Sequence, residues 1–131
     1  MARDLDIPID VVACPTVREP DGLALSSRNV RLSPLERQVA PRLAAILFAT
    51  AARITSGAPV EATLDEARSA IAAAGYTRIE YLELRAEGDL APIQTLDRPA
   101  RLLAAAWLGD TRLIDNVQIP SRSGAITRTA A

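Results

Sequence analysis

The chain contains no histidine and no lysine, a single cysteine, and only one Trp, two Tyr and one Phe. Each shortage closes off chemistry. Without histidine there is no imidazole general base, no Ser-His or Cys-His nucleophile pair, and no route to most catalytic zinc sites. Cys14 has no internal disulfide partner, and its place in an apolar run marks it as a buried structural thiol rather than a nucleophile. All fifteen cationic side chains are arginine, so any phosphate-binding cation is a planar, permanently charged guanidinium. With so few aromatics, the core must be built from Leu, Ile, Val and Ala. No signal-peptide pattern and no apolar run of membrane-spanning length is visible, which sets a soluble, reducing, cytoplasmic expectation.

What is present describes one ordinary globular domain. The 131 residues are 49% hydrophobic and 24% charged, enough for a hydrophobic core. The net charge of −1 gives no basic field of the kind that attracts nucleic acid. Residues 9–14 (I-D-V-V-A-C), stopped by Pro15, read as a buried strand. Residues 16–32 read as a long polar loop with turn chemistry at Pro20-Asp21-Gly22. Ser33-Pro34-Leu35-Glu36 is a helix start, with Ser33 as cap and Glu36 reaching back to it. Apolar residues at Leu35, Val39, Leu43, Ile46, Leu47 and Ile54 continue at helical spacing. Pro41 falls inside that run and predicts a kink or late start. Ser56-Gly57 ends it.

A second helix is predicted after Pro59, with Leu64, Ala67 and Ile71 on one face and Gly75 as its stop. Residues 78–85 and 111–119 then read as strands. Residues 101–108 fit a strand or a buried helix by composition, and the Gly109-Asp110 hairpin signal favours the strand. The fold class predicted is α+β: two helices packed on a three-stranded antiparallel sheet, preceded by an orphan strand, with residues 120–131 a disordered tail. Asp65 and Glu66 read as surface charge, Tyr81 and Trp107 as core or interface packing, and Asp115-Asn116 as turn or cap residues near a strand end.

Residues 15–29, P-T-V-R-E-P-D-G-L-A-L-S-S-R-N, carry the chemistry. Two hydroxyls stand directly before an arginine on a backbone freed by Gly22, which makes a cradle for polyphosphate. The other reading of the same residues is a solvated loop that only initiates the next helix. Here the sequence resembles the pantothenate synthetase (pantoate–β-alanine ligase) family, whose hallmark is P-T-V-R-E-x-D-G-L-A-[ML]-S-S-R-N. The resemblance continues through Tyr81-Leu82-Glu83-Leu84-Arg85 and through the R-L-L-x-A-A-x-L-G-x-T-R-L-[LI]-D-N-[IV] pattern from Arg101 to Val117, covering nearly all of residues 5–119.

The resemblance implies a division of the chain. Residues 1–17 would be the helix end and last, Rossmann-type strand of an N-terminal nucleotide-binding domain. Residues 18–119 would be the C-terminal, ATP-covering domain. The Ser-Ser-Arg loop is similar in role to the Lys-Met-Ser-Lys-Ser loop of class I aminoacyl-tRNA synthetases. By that likeness Leu25, Ser26, Ser27 and Arg28 contact ATP, Val17 contributes backbone contacts near the nucleoside, and Arg28 stabilises the departing pyrophosphate. The implied substrates are ATP with Mg2+, pantoate and β-alanine, joined through pantoyl adenylate, with no organic cofactor and no metal site of the chain's own. Members of the family are expected to be homodimers through the N-terminal domain.

That domain's His-x-Gly-His motif and pantoate-holding glutamines do not occur here. The expectation is therefore a lid inactive by itself, with a stand-alone nucleotide-binding or interaction module as the alternative. Met1 fits an internal methionine of a longer protein as well as a start.

Overall fold

The computed structural model describes residues 16–120. The strand predicted at residues 9–14, Cys14, most of the predicted tail and the segment before Thr16 lie outside the described residues.

Three helices follow the polar segment: α1 (Pro34–Val39), α2 (Pro41–Thr55) and α3 (Val60–Ala74). The expected long first helix is two helices. Proline at 41 has no N–H to bond back to the preceding turn, so the chain breaks at Ala40 and restarts with Pro41 in the first-turn position it tolerates. The start of α1 forms the expected capping box: the Ser33 hydroxyl accepts from the Glu36 N–H at 3.1 Å, and the Glu36 carboxylate accepts from the Ser33 N–H at 2.9 Å. The break also resets the helical phase. Leu35, expected on the apolar stripe, is 75% exposed, while Leu43, Leu47 and Ile54 of α2 are buried. Gly75, at φ +122°, closes α3.

The sheet comprises β1 (Arg78–Ala86), β2 (Ala100–Leu108) and β3 (Thr111–Ile119), antiparallel and in that spatial order. Gly109-Asp110 joins β2 to β3 in a two-residue turn with Gly109 at φ +61°. The segment 101–108 is thus a strand, as the hairpin signal required.

Along β3 alternate residues Thr111, Leu113, Asp115, Val117 and Ile119 are buried. They face the helices together with Leu82 and Leu84 of β1 and Leu102, Ala104 and Ala106 of β2. Helix α2 lies over β3 and α3 over β1. Leu47, Ile54, Ile71, Leu82, Leu102 and Ile119 are each under 2% exposed. Each contributes about 1.5–3 kcal/mol by burial, more than any exposed ion pair at about 0–1 kcal/mol, so the apolar faces hold the domain together.

Tyr81 and Trp107 are half-buried and absent from the core. The Trp107 indole donates to Glu80 at 3.2 Å, and Arg78 stacks over its ring at 4.9 Å. Asp65 and Glu66 are exposed, as expected, and pair with Arg68 and Arg53. Among the described residues no helix is long and apolar enough to cross a membrane.

Candidate functional site

The polar segment before α1 is ordered by its own backbone. Leu25 N–H donates to the Val17 carbonyl at 2.8 Å, and Glu19 N–H to the Leu23 carbonyl at 2.8 Å, with Arg18 and Ala24 bridged between them. Gly22 N–H returns to the Glu19 carbonyl at 2.9 Å, and Gly22 takes φ +97°, a conformation that side-chain-bearing residues rarely adopt. Pro20-Asp21-Gly22 is therefore the tip of a small hairpin, where the sequence alone suggests an extended loop with a turn. The Asp21 carboxylate accepts from Arg37 of α1 at 2.6 Å, and that hydrogen bond holds its carboxyl below the ordinary carboxylate range.

The hairpin leads directly into a short 3-10 helix, Ser27–Arg31. Ser26 caps it, its hydroxyl oxygen accepting from the Arg28 N–H at 3.1 Å. The hydroxyl hydrogen of Ser26 remains available as a donor. Asn29 ties the helix back to the hairpin by donating to the Ala24 carbonyl at 3.0 Å. Its Oδ1 is buried without a hydrogen-bond partner among the described residues. Ser27 and Arg28 face outward, and among the described residues Arg28 takes part in no ion pair.

The structure thus brings the five residues singled out from sequence into one continuous feature. Val17 and Leu25 are cross-strand neighbours, 66% and 58% exposed, and Ser26, Ser27 and Arg28 follow at the exit of the same hairpin. Two exposed aliphatic side chains beside hydroxyls and a guanidinium can meet a ligand that is flat and apolar at one end and anionic at the other. No group of three or more potential metal-ligating side chains occurs among the described residues.

One anchoring residue was misread from sequence. Asp115 lies in the middle of β3 with its side chain 2% exposed, not in a turn or cap. Arg18 reaches it from the hairpin in a two-pronged pair, Nη1 to Oδ2 at 2.7 Å and Nη2 to Oδ1 at 2.9 Å. The same guanidinium donates to the carbonyls of Gly22 at 3.0 Å and Asn116 at 3.2 Å, and lies over the Phe48 ring at 4.9 Å. Asn116 in turn accepts on Oδ1 from Arg101 at 2.6 Å. The signal was available: a carboxylate in the row Thr111, Leu113, Asp115, Val117, Ile119 faces the core by strand alternation and requires a cation. Which of fifteen arginines supplies it is not encoded in any local pattern.

The family model described as Pantoate-beta-alanine ligase matches residues 1–118. The pantothenate synthetase of Chelativorans sp. (strain BNC1) is 64% identical over 119 residues, covering 91% of this chain and 42% of that protein. That of Roseobacter denitrificans is 51% identical over 120 residues, covering 92% and 42%. The crystal structure of pantothenate synthetase from Thermus thermophilus superposes with a TM-score of 0.80 at 41% identity, covering 91% of this chain and 44% of that one. The pantoate-beta-alanine ligase of Francisella tularensis, solved as a complex with beta-gamma ATP and beta-alanine, superposes with a TM-score of 0.52 at 28% identity, covering 89% and 36%. The chain spans about two-fifths of the length of these curated relatives. On the strength of the family match across nearly its whole length, the chain belongs to the pantoate–β-alanine ligase family.

Proposed function

We propose that residues 18–119 are the ATP-covering part of a pantoate–β-alanine ligase, and that the Ser26-Ser27-Arg28 loop closes over the phosphates of magnesium ATP. The observation that carries this reading is the hairpin exit itself. It presents a spare hydroxyl hydrogen on Ser26, the exposed Ser27 hydroxyl and an outward guanidinium on Arg28, next to the exposed pair Val17 and Leu25. The ATP complex of the Francisella relative supports the nucleotide.

In this reading the pantoate carboxylate attacks the α-phosphorus of ATP. The bond from that phosphorus to the β-bridging oxygen breaks, leaving pantoyl adenylate and pyrophosphate. The β-alanine amine then attacks the acyl carbon, and AMP leaves with the bonding pair. Ser26 and Ser27 donate to phosphate oxygens. Arg28 acts most strongly when charge builds on the departing pyrophosphate, and a guanidinium can meet two of its oxygens at once. Mg2+ arrives with the nucleotide, as part of the substrate. Residues 1–17 belong with the nucleotide-binding domain, and dimerisation in the cytoplasm runs through that domain.

The groups that hold pantoate would lie outside this chain's matched two-fifths of its relatives. Positioning of the two reactants is worth about 7–11 kcal/mol, so the loop without that partner surface does not drive adenylation. The test is pantoate-dependent pyrophosphate release by the purified chain, with and without an N-terminal ligase segment. Release is expected only with the segment. Release by the chain alone would overturn the division of labour, and no release from either would remove the ligase reading.

A further inference from the structure

We propose that Arg18 and Asp115 form a latch that positions the Ser26-Ser27-Arg28 loop on the sheet. Arg18 is thus a positioning residue rather than a phosphate ligand. The proposal rests on the loop's role given above, but the latch itself stands on geometry.

Arg18 sits between Val17 and Glu19 on the first arm of the hairpin, with Ala24 opposite it. Val17 beside it is exposed, whereas the Arg18 side chain turns into the domain and is 17% exposed. From there it makes four hydrogen bonds. Two go to the Asp115 carboxylate, one to the Asn116 carbonyl, and one back to the Gly22 carbonyl at the tip of its own hairpin. A single planar group therefore ties the hairpin tip, the hairpin arm and the centre of β3 into one rigid unit. The pair joins residues 97 apart in sequence.

Asp115 is held from its own side as well: its Oδ1 accepts from the Asn116 N–H at 2.7 Å. That bond restrains the carboxylate against following a displaced hairpin. The guanidinium also lies over the Phe48 ring of α2, so stacking adds to the hydrogen bonds that hold it.

Beyond Leu25 the 3-10 helix also packs against β3, but among the described residues no hydrogen bond joins it to the sheet. Its named bonds are local: Ser26 to Arg28, Asn29 to Ala24, and the Asn29 N–H to the Ser26 carbonyl at 3.1 Å. The loop's polar ties to β3 therefore run through the hairpin, which is held by Leu23 in the core, by Asp21 on Arg37 and, on β3 itself, by the Arg18–Asp115 pair. An error of about 1 Å in a reacting group's support can cost on the order of a hundredfold in rate, which is why such a tether matters to chemistry it never touches.

The test uses the 131-residue chain, labelled with 15N, as wild type, Arg18→Lys, and the paired Arg18→Met, Asp115→Leu. The paired change removes both charges, which spares the fold an unpaired buried ion. Amide hydrogen exchange is read at Leu25, Asn29 and Leu32 of the hairpin and loop, and at Leu102 and Leu113 of the sheet. The latch predicts exchange about tenfold or more faster at the first set in the paired variant, with the sheet amides unchanged, and a smaller acceleration in Arg18→Lys. A role in overall stability alone moves both sets together, and that result would overturn the proposal, as would loop amides that keep wild-type rates. If the paired variant does not fold, Arg18→Lys decides by the same comparison of loop with sheet. Addition of magnesium ATP to a complete ligase carrying this segment separates the two readings. A silent Ser27 and Arg28 would sink the phosphate role while leaving the latch to the exchange data.

Discussion

The Tyr76 hydroxyl donates to the Ala40 carbonyl across 2.8 Å, joining the second residue past α3 to the break between α1 and α2. The ring is 5% exposed, and burial raises the phenol's pKa well above its ordinary value. The fold therefore holds a neutral phenol, whereas the unfolded chain ionises its tyrosines near about pH 10. The proton-linked stability is fully present below that pH and is lost as pH rises through the folded value. Tyr76→Phe is expected to cost about 1–2 kcal/mol at neutral pH and to flatten the alkaline decline. Thermal unfolding of both proteins between pH 7 and 11 checks this, and equal alkaline slopes would count against it.

Gly109 opens the β2–β3 turn in the left-handed region, and a β-carbon there would fall on the Glu36 carboxylate of the α1 capping box. Gly109→Ala is predicted to destabilise through two separable causes, backbone strain of about 1–3 kcal/mol and displacement of Glu36. In a Glu36→Ala background only the strain remains, so the substitution should cost less there. Chemical denaturation of the two single variants and the double variant measures the difference. Strict additivity would show that Glu36 is not displaced.

Ser33→Ala removes the oxygen that accepts from the Glu36 N–H and should cost about 1 kcal/mol. Because α1 also carries Arg37, which holds Asp21 at the hairpin tip, loosening α1 should broaden the amide resonances of residues 19–23 as well. A melting temperature and hairpin spectrum identical to wild type would argue that the box is dispensable.

Much of this architecture was legible locally. Gly109-Asp110 identified the hairpin and thereby made 101–108 a strand, because a two-residue turn demands strands on both sides. Pro41 announced a break, since a missing N–H is a local fact. Leu35 was misplaced because helical periodicity assumes one continuous helix, and the break at Ala40 ends the phase relation. The Ser-Ser-Arg cluster was visible as contiguous residues. Its anchor was not, because Arg18 and Asp115 are brought together only by tertiary packing. The ordered hairpin within 16–25 was missed for a related reason: the polar, turn-rich composition that marks a loop also permits a short ladder when Gly22 supplies its left-handed corner.

The phosphate-closing role stands or falls on Arg28. In a complete ligase carrying this segment, pyrophosphate release and ATP affinity are measured on the same samples for wild type, Arg28→Ala and Arg28→Lys, together with thermal unfolding. Loss of one donor aimed at developing charge costs about 3 kcal/mol, so Arg28→Ala should slow adenylation roughly a hundredfold or more while changing ATP binding far less. Arg28→Lys should recover only part, because an ammonium does not reproduce the planar fork. Unfolding should barely shift, since Arg28 faces outward and lies away from the core. A wild-type rate of pyrophosphate release from Arg28→Ala would contradict that role.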